Sequence, residues 1–326
     1  MNILVTGGAG YVGSVVVEEL LKQGYEVIVL DNLQQGHQGA ILPEAKLAIA
    51  DICDARALDQ VFRGYQIDAV MHMAAETVVE YSMTDPKRYF HNNIVGGINL
   101  LDTMLKYQVD KFIFSSSAAI YGEPQGTPIE EDHPKLPVNS YGESKLMFEH
   151  ILKWYGRAYG LKHISFRYFN AAGATGLLGE CHLPETHLIP NILKAALEKS
   201  NPVSIFGTDY PTKDGSCIRD YVHVIDIAQA HILALEKIDG LSSKAYNLGN
   251  GEGYSVLEVL EAARKVTGAE IPVKICPRRA GDPAVLVASS TRARKELGWK
   301  PEFPGPETII ESAWMWMKRY PKGYAG

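Results

Sequence analysis

The amino-acid sequence predicts an α/β fold, in which a Rossmann-type doubly wound parallel sheet is followed by a smaller C-terminal α/β domain. Short β-branched runs alternate with longer helical patterns through the first half of the chain. These runs are apolar almost throughout, as in parallel strands buried on both faces. Beyond Asn170, glycines and prolines divide the chain into shorter pieces. We therefore expect one domain over residues 1–170 and another over residues 171–326, with some later segments packing back on the first domain.

Each predicted element follows from its own local pattern. Runs of β-branched and other apolar residues predict strands at residues 2–5, 26–30, 46–50, 68–72, 111–115 and 163–168. Apolar residues at helical spacing predict helices at residues 10–23, 56–63, 86–107 and 141–159 in the first half. Further helices are predicted at residues 189–198, 224–236, 255–266 and 306–316.

Composition and charge narrow the classes of protein. The chain of 326 residues has a net charge of −6, so we expect no nucleic-acid partner and no membrane partner, both of which favour a basic surface. No apolar run approaches the ~18 residues that span a bilayer. The four cysteines are scattered without a C-x-x-C pair. This pattern predicts reduced thiols and a cytoplasmic location.

The most specific motif is the glycine-rich turn Thr6–Gly13, with the sequence TGGAGYVG, between the first strand and the first helix. Gly7 permits a tight turn, Gly10 lets backbone N–H groups approach phosphate oxygens, and Gly13 lets the helix lie close to the sheet. The N-terminus of that helix adds unpaired N–H donors and a positive dipole end. The turn therefore predicts a site for the pyrophosphate of a dinucleotide.

Residues at the ends of the next strands extend this site. Asp31 lies 18 residues after Gly13, where a carboxylate accepts hydrogen bonds from ribose hydroxyls and repels a 2′-phosphate, so NAD is favoured over NADP. Asp51 either contacts the adenine or ends a turn. The segment formed by Met73, Ala74 and Ala75 contains small residues, which would let the backbone approach the cofactor closely. Asn92 either orients the active-site loop or satisfies buried backbone groups.

A second motif, Tyr141–Lys145 (YGESK), places a phenol and an ammonium one helical turn apart. The nearby ammonium is expected to lower the tyrosine pKa from ~10 and make the phenol a general base. Ser117 follows a buried strand, and ligands of such sheets bind beyond the carboxyl ends of the strands. We therefore predict that Ser117 hydrogen-bonds the reacting oxygen, although a serine run alone is more typical of a turn.

With these motifs the chain resembles the extended short-chain dehydrogenase/reductase superfamily and, within it, the UDP-glucose 4-epimerase family. The shared stretches include LVTGGAGYVGS, FIFSSSAAIYG, YGESKLMFE, SIFGTDYPTKDG, YNLGNG and RRAGD. The resemblance implies NAD as cofactor, UDP-glucose and UDP-galactose as substrates, and a homodimer formed through paired helices of the large domain. It also implies that Ser117, Tyr141 and Lys145 are catalytic.

The same resemblance assigns the other contacts. It implies cofactor contacts at Tyr11, Val12, Asp31, Asn32, Asp51, Ile52, Asn92 and Phe169. It implies substrate contacts at Asn170, Leu188, Ser204, Phe206, Arg219, Arg279 and Asp282. The arginines suit a diphosphate, which guanidinium groups bind through two parallel hydrogen bonds.

Rival interpretations remain open at this point. A nucleotide-sugar 4,6-dehydratase shares the Tyr/Lys pair but carries an acidic pair after the catalytic hydroxyl residue, where this chain has Ala118 and Ala119. Another NAD-dependent nucleotide-sugar epimerase is the second alternative. An inactive NAD sensor is the third, but such proteins usually lose the tyrosine or the lysine.

Some positions depart from the family pattern. Thr77 replaces a common lysine, and His187 replaces an asparagine common before Leu188. Leu286 lies near the position that gates the sugar pocket, and its intermediate size leaves N-acetylated substrates undecided, with unacetylated ones favoured. Four neighbouring residues have side chains that often bind metals: Cys181, His182, Glu185 and His187. Their spacing fits no standard set of metal ligands, so we predict no metal site.

Overall fold

The computed structural model describes residues 1–198, 202–279 and 282–324. The RRAGD motif therefore lies partly outside the described residues, at Ala280 and Gly281. The strands are β1 (Asn2–Thr6), β2 (Glu26–Asp31), β3 (Lys46–Ile49), β4 (Ala69–His72), β5 (Lys111–Ser117), β6 (Lys162–Tyr168), β7 (Asn170–Ala172), β8 (Val203–Phe206), β9 (Ile218–Arg219), β10 (Tyr221–His223), β11 (Lys244–Leu248), β12 (Tyr254–Ser255), β13 (Val273–Cys276) and β14 (Val285–Leu286).

The α-helices lie close to the predicted positions, except the helix at Val79–Thr84, which was not predicted. They are α1 (Tyr11–Lys22), α2 (Ala55–Gly64), α3 (Val79–Thr84), α4 (Pro86–Phe90), α5 (Gly97–Lys106), α6 (Ser140–Tyr159), α7 (Leu188–Glu198), α8 (Val224–Lys237), α9 (Val256–Thr267) and α10 (Gly305–Arg319). The prediction of one helix over residues 86–107 is wrong in one respect. A π-helical segment, His91–Gly96, interrupts that helix, where Asn92, Asn93, Gly96 and the following Gly97 are poor helix formers.

Seven parallel strands form the central sheet, in the order β11-β6-β5-β4-β1-β2-β3. The α/β prediction of a doubly wound parallel sheet is therefore confirmed. The chain winds outward from β1 through β2 to β3, and then crosses back to β4 beside β1. Such a reversal opens a crevice at the carboxyl ends of the strands, where ligands of this architecture bind.

Both faces of the sheet are covered because successive side chains of a strand point to opposite faces. In β1, Ile3 and Val5 belong to one apolar cluster, while Leu4 belongs to another. The first cluster includes α1 and α8, and the second includes α2, α5 and α6. This double burial explains the nearly continuous apolar strands of the sequence.

Segments beyond residue 170 contribute to both parts of the molecule. α8 packs on α1, and β11 pairs with β6 at the edge of the central sheet. The remaining segments build a separate apolar cluster around α7, α9 and α10. Small sheets accompany this cluster, including the pairs β7–β10 and β8–β13. In the described residues no helix combines the length and the hydrophobicity that crossing a membrane requires.

The glycine turn sets how closely α1 approaches the sheet. A Cβ on Gly13 would lie 2.1 Å from the carbonyl oxygen of Gly7, and one on Gly7 would lie 2.6 Å from the backbone nitrogen of Ala74. Gly7 also has a φ of +70°, in the left-handed region that favours glycine. Because both obstacles are backbone atoms, no side-chain rearrangement would relieve either clash.

We expect Gly13→Ala to lower the free energy of unfolding by ~3 kcal/mol or more, because α1 must move off the sheet. Gly64→Ala is the matched control, since a Cβ on Gly64 meets no atom within 4 Å. That control should leave stability unchanged or raise it by up to ~1 kcal/mol. Urea unfolding midpoints measure both. Equal midpoints for the two variants would contradict this packing interpretation.

Candidate functional site

The candidate site lies at the carboxyl ends of the central strands, where β1, β2, β4 and β5 place polar or small residues. The turn after β1 begins with Gly7, whose N–H bonds the carbonyl of Leu30 in β2. Gly10 precedes α1, and its N–H donates to the carbonyl of Gly7. The glycine turn therefore leaves a narrow cradle above the N-terminus of α1, a geometry that fits a pyrophosphate.

Asp31 ends β2 with its side chain almost completely buried, 6% exposed. Its two carboxylate oxygens accept hydrogen bonds from the backbone N–H groups of Ala9, at 3.0 Å, and Leu33, at 2.9 Å. Burial raises the pKa of Asp31, while these two hydrogen bonds oppose the rise. The carboxylate is thus fixed against the glycine turn and suits hydroxyl donors such as those of a ribose.

The remaining predicted cofactor residues form two groups around this turn. Asn32 donates to the carboxylate of Asp51 over 3.0 Å, and Ile52 is buried against the π-helical segment that carries Asn92. On the other side, the N–H of Met73 donates to the carbonyl of Thr6. The other predicted members have these positions: Tyr11 and Val12 in the first turn of α1, Ala74 and Ala75 after β4, and Phe169 buried after β6.

The three predicted catalytic residues lie where β5 meets α6. Ser117 ends β5, and its side chain lies close enough to Tyr141, in the first turn of α6, to affect the pKa of the phenol. Lys145 is 3% exposed, and its Nζ donates to the carbonyl of Ser115 over 2.8 Å. The same Nζ lies 5.8 Å from the centroid of the Tyr141 ring. The phenol of Tyr141, the hydroxyl of Ser117 and the amine of Lys145 therefore lie together at the carboxyl end of β5.

Sequence reasoning missed a third residue of the same helix face. Glu149 follows Tyr141 and Lys145 at four-residue spacing, and its carboxylate accepts from Ser116 Oγ over 2.6 Å. Arg167 in β6 holds that carboxylate with two hydrogen bonds, of 2.7 and 3.0 Å. The spacing i, i+4, i+8 was the signal available in the sequence, because such residues share one face of a helix.

Asn93 was also missed, although it neighbours the predicted Asn92. Its side chain is 4% exposed and donates to Ser144 Oγ in α6 and to the carbonyl of Glu76. Its amide oxygen accepts from the N–H of Glu76. Asn93 therefore fixes the loop after β4 to the catalytic helix, whereas Asn92 donates to Asn93. Thr77 of this loop is exposed.

The electrostatics of the pair differ from the sequence expectation. Burial raises the pKa of Tyr141, and the hydrogen bond with Ser117 only partly opposes the rise. Burial also lowers the pKa of Lys145 to about 7. The prediction that the lysine lowers the tyrosine pKa is therefore wrong for the protein by itself. The reason is that the lysine is desolvated and donates to a backbone carbonyl rather than to the phenol.

The predicted substrate residues lie in the C-terminal part, as two pairs and three single positions. Arg219 Nη2 donates to the carboxylate of Asp282, and the guanidinium of Arg279 lies 4.0 Å from the ring centroid of Phe206. Asn170 donates to the carbonyl of Asp220. Ser204 lies in β8 beside Phe206, and Leu188 begins α7.

One further residue links these strands to the catalytic region. Leu286 in β14 pairs with Arg219 and packs against an apolar cluster that includes Ala118 and Phe169. The structure therefore brings the position predicted to gate the sugar pocket to the end of β5.

Comparisons with known proteins show the family to which the chain belongs. The model of the NAD dependent epimerase/dehydratase family matches residues 3–249. A UDP-glucose 4-epimerase of Halalkalibacterium halodurans is 53% identical, over 100% of this chain and 98% of its own length. A crystal structure of a UDP-glucose 4-epimerase superposes with a TM-score of 0.98 at 50% identity and covers both chains fully. The enzyme from Bifidobacterium longum, in complex with NAD+ and UDP, has a TM-score of 0.95 at 39% identity, over 99% of this chain and 100% of that one.

The buried lysine predicts a stability that depends on pH. Between about pH 7 and the ordinary lysine pKa of ~10.4, the unfolded chain binds a proton that the folded chain does not. The cost of Lys145 is therefore full at and below pH 7 and disappears as the pH rises toward 10. In the cofactor-free protein, Lys145→Met should raise the unfolding temperature by ~2 °C or more at pH 7.

That gain should shrink at pH 10, and Lys153→Met on the exposed face of α6 should have no effect at either pH. Thermal unfolding followed by circular dichroism at pH 7 and pH 10 measures both variants. A lower unfolding temperature for Lys145→Met at pH 7, or an equal change at both pH values, would show that burial does not penalise this ammonium.

Proposed function

Because the chain belongs to the NAD-dependent epimerase/dehydratase family, we infer that it interconverts UDP-glucose and UDP-galactose by inverting carbon 4 of the sugar. It is an isomerase that works through a transient 4-keto sugar. The main support for this inference is the position of Ser117, Tyr141 and Lys145, which lie together at the carboxyl end of β5. The glycine turn follows the carboxyl end of β1 in the same sheet.

Tyr141 is the group that takes the proton from the 4-hydroxyl and later returns it. Ser117 hydrogen-bonds the tyrosine and aligns the reacting oxygen. NAD, when bound, supplies the hydride acceptor and donor at carbon 4 and, in its oxidised form, a positive charge that favours the phenolate. Lys145 holds the nicotinamide ribose and adds a second positive charge whenever its amine is protonated.

The cofactor is held by residues on both sides of the glycine turn. Gly7, Gly10 and Gly13 cradle the pyrophosphate, and the carboxylate of Asp31 accepts from the adenosine ribose. That buried carboxylate disfavours a 2′-phosphate, which supports NAD rather than NADP. The other contacts proposed for the cofactor are Tyr11, Val12, Asn32, Asp51, Ile52, Met73, Ala74, Ala75, Asn92 and Phe169.

The C-terminal residues hold the nucleotide of the substrate. Phe206 and Ser204 contact the uracil, and Arg279, stacked on Phe206, reaches the diphosphate. Arg219 and Asp282 bind the phosphates and the uridine ribose, while Asn170 and Leu188 border the diphosphate. Anchoring the nucleotide in this way leaves the sugar free to turn its other face to the hydride.

A nucleotide-sugar dehydratase is the main rival within the same family. That reaction expels a hydroxyl group as water and needs a carboxylic acid beside the catalytic hydroxyl residue. Here Ala118 and Ala119 follow Ser117, and Ala118 is buried in an apolar cluster. The chain therefore supplies no acid at these two positions, which favours epimerisation.

Incubation with UDP-galactose, without added cofactor, tests the inference directly. We expect UDP-glucose as the product, measured by anion-exchange chromatography, because bound NAD is regenerated in each turnover. A dehydrated keto sugar would favour the lyase. No conversion by protein that retains NAD would indicate an inactive sensor.

Tyr141→Phe should retain bound NAD and lose turnover by at least ~10²-fold, the usual contribution of a general acid–base group. The control is Tyr107→Phe, since the Tyr107 hydroxyl bonds Asp59 and should not affect activity. Cofactor content from the absorbance of the released nucleotide and kcat from the product assay separate binding from chemistry. Near-normal turnover would overturn the assignment of the base.

A homodimer in the cytoplasm completes this proposal. The side chains of Met147 and Trp154 lie on α6 opposite Lys145 and are 39% and 64% exposed. Such an apolar helix face suits pairing with the same helix of a second copy. The four cysteines are free thiols, which suits a reducing compartment.

Trp154→Glu should convert the dimer to a monomer, because a carboxylate would be buried in the paired interface. Met315→Glu on α10 is the matched control, since Met315 is 59% exposed on another helix. Light scattering after size exclusion gives the mass of each variant. A Trp154→Glu protein that keeps the mass of two chains would contradict the proposed interface.

A further inference from the structure

Four side chains converge in the loop before α7: Glu180, His182, Glu185 and His187. One nitrogen or oxygen atom from each of them lies within 4.8 Å of all the others. His187 Nδ1 is 2.7 Å from Glu180 Oε1 and 3.0 Å from Glu185 Oε1. His182 Nδ1 is 3.1 Å from Glu180 Oε1 and 3.7 Å from Glu185 Oε2. Each histidine thus directs the same ring atom at both glutamates.

These separations match the edges of a small tetrahedron. A zinc ion with bonds of ~2.0–2.1 Å to nitrogen and oxygen sets its ligand atoms ~3.3 Å apart. The four observed nitrogen–oxygen distances lie between 2.7 and 3.7 Å. A cation could therefore occupy the centre once the side chains turn to direct a single oxygen of Glu185 and the other three ligand atoms at it.

Hydrogen bonds link the members of this cluster, and Glu185 Oε1 also accepts from the backbone N–H groups of Thr186 and His187, each over 2.8 Å. A ring nitrogen carries at most one hydrogen, yet each Nδ1 faces carboxylates from two residues. The two carboxylates also lie in a largely desolvated place, with side chains 7% exposed for Glu180 and 14% for Glu185. A divalent cation would neutralise both charges and use the lone pair of each Nδ1.

We propose that Glu180, His182, Glu185 and His187 form a structural zinc site. Mixed imidazole and carboxylate donors suit zinc, whereas calcium and magnesium prefer oxygen alone. All four donors come from the protein, as in structural sites that have no open position for substrate. The sequence alone predicts no metal site, because the four residues considered there match no standard ligand spacing and do not include Glu180, which directly precedes Cys181.

The site would fix the loop between the cofactor-binding turn and the substrate region. The ring of Tyr11, in the first turn of α1, stands edge-on to His182 with ring centroids 6.2 Å apart. The carbonyl of Cys181 bonds His37 Nε2 over 2.7 Å. Leu188, which begins α7, follows His187 directly. Zinc would thus stabilise the loop rather than take part in the reaction, and its presence is separable from epimerase activity.

Zinc content of the full-length protein, with no affinity tag, tests the proposal. After equilibration with zinc chloride and desalting, mass spectrometry should find about one zinc ion per chain in the unmodified protein and in His150→Ala, whose histidine is exposed on α6. Competition with a chromophoric chelator should show zinc bound at least ~10-fold more weakly by His182→Ala and by Glu185→Gln. Equal zinc content in all four proteins would overturn the assignment.

Two measurements on the unmodified protein test for the zinc site even where a variant fails to fold. Zinc should raise its unfolding temperature, while magnesium at the same concentration should not. X-ray absorption at the zinc edge should show nitrogen and oxygen ligands only. Sulfur at ~2.3 Å, or no zinc retained after desalting, would refute the site.

Discussion

The contact between α6 and the end of β5 is the constraint on which the site depends. Tyr141, Lys145 and Glu149 succeed each other at four-residue spacing along α6. Lys145 donates to the carbonyl of Ser115, Glu149 accepts from Ser116, and Tyr141 lies close to Ser117. Three successive strand residues thus meet three successive turns of one helix face. Because each bond fixes the rotation of α6 about its axis, the phenol cannot leave the sheet edge without breaking the other two contacts.

The same contact determines the charges of the site. Burial disfavours both a phenolate at Tyr141 and an ammonium at Lys145, as the directions of their pKa shifts show. A buried charge becomes favourable when an opposite charge lies close to it. Burial therefore disfavours a phenolate at Tyr141 in the protein by itself, and a cation close to the phenol would favour it. In the function proposed above, bound NAD would supply that cation, so activation of the base would depend on an occupied cofactor site.

Local sequence patterns predicted the parallel sheet, its helices and the glycine turn, because strand burial and tight turns depend on nearby residues. Glu149 and Asn93 could not be predicted as readily, since their roles arise from Arg167, Ser116 and Ser144, which only folding brings near. Likewise, the edge strand β11 and the pairing of Arg219 with Asp282 depend on contacts distant in sequence. The family resemblance supplied these substrate residues.

Interleaving of the two halves limits how the substrate can be inverted. β11 extends the central sheet beside β6, and its Asn247 accepts a hydrogen bond from Tyr121, which also binds Arg167. α8, from the same later part of the chain, packs on α1 behind the glycine turn. A hinge between the halves would break the sheet edge and this buried hydrogen-bond chain together. With β11 and α8 held against the central sheet in this way, the proposed reaction would present both sugar faces by rotation of the sugar itself.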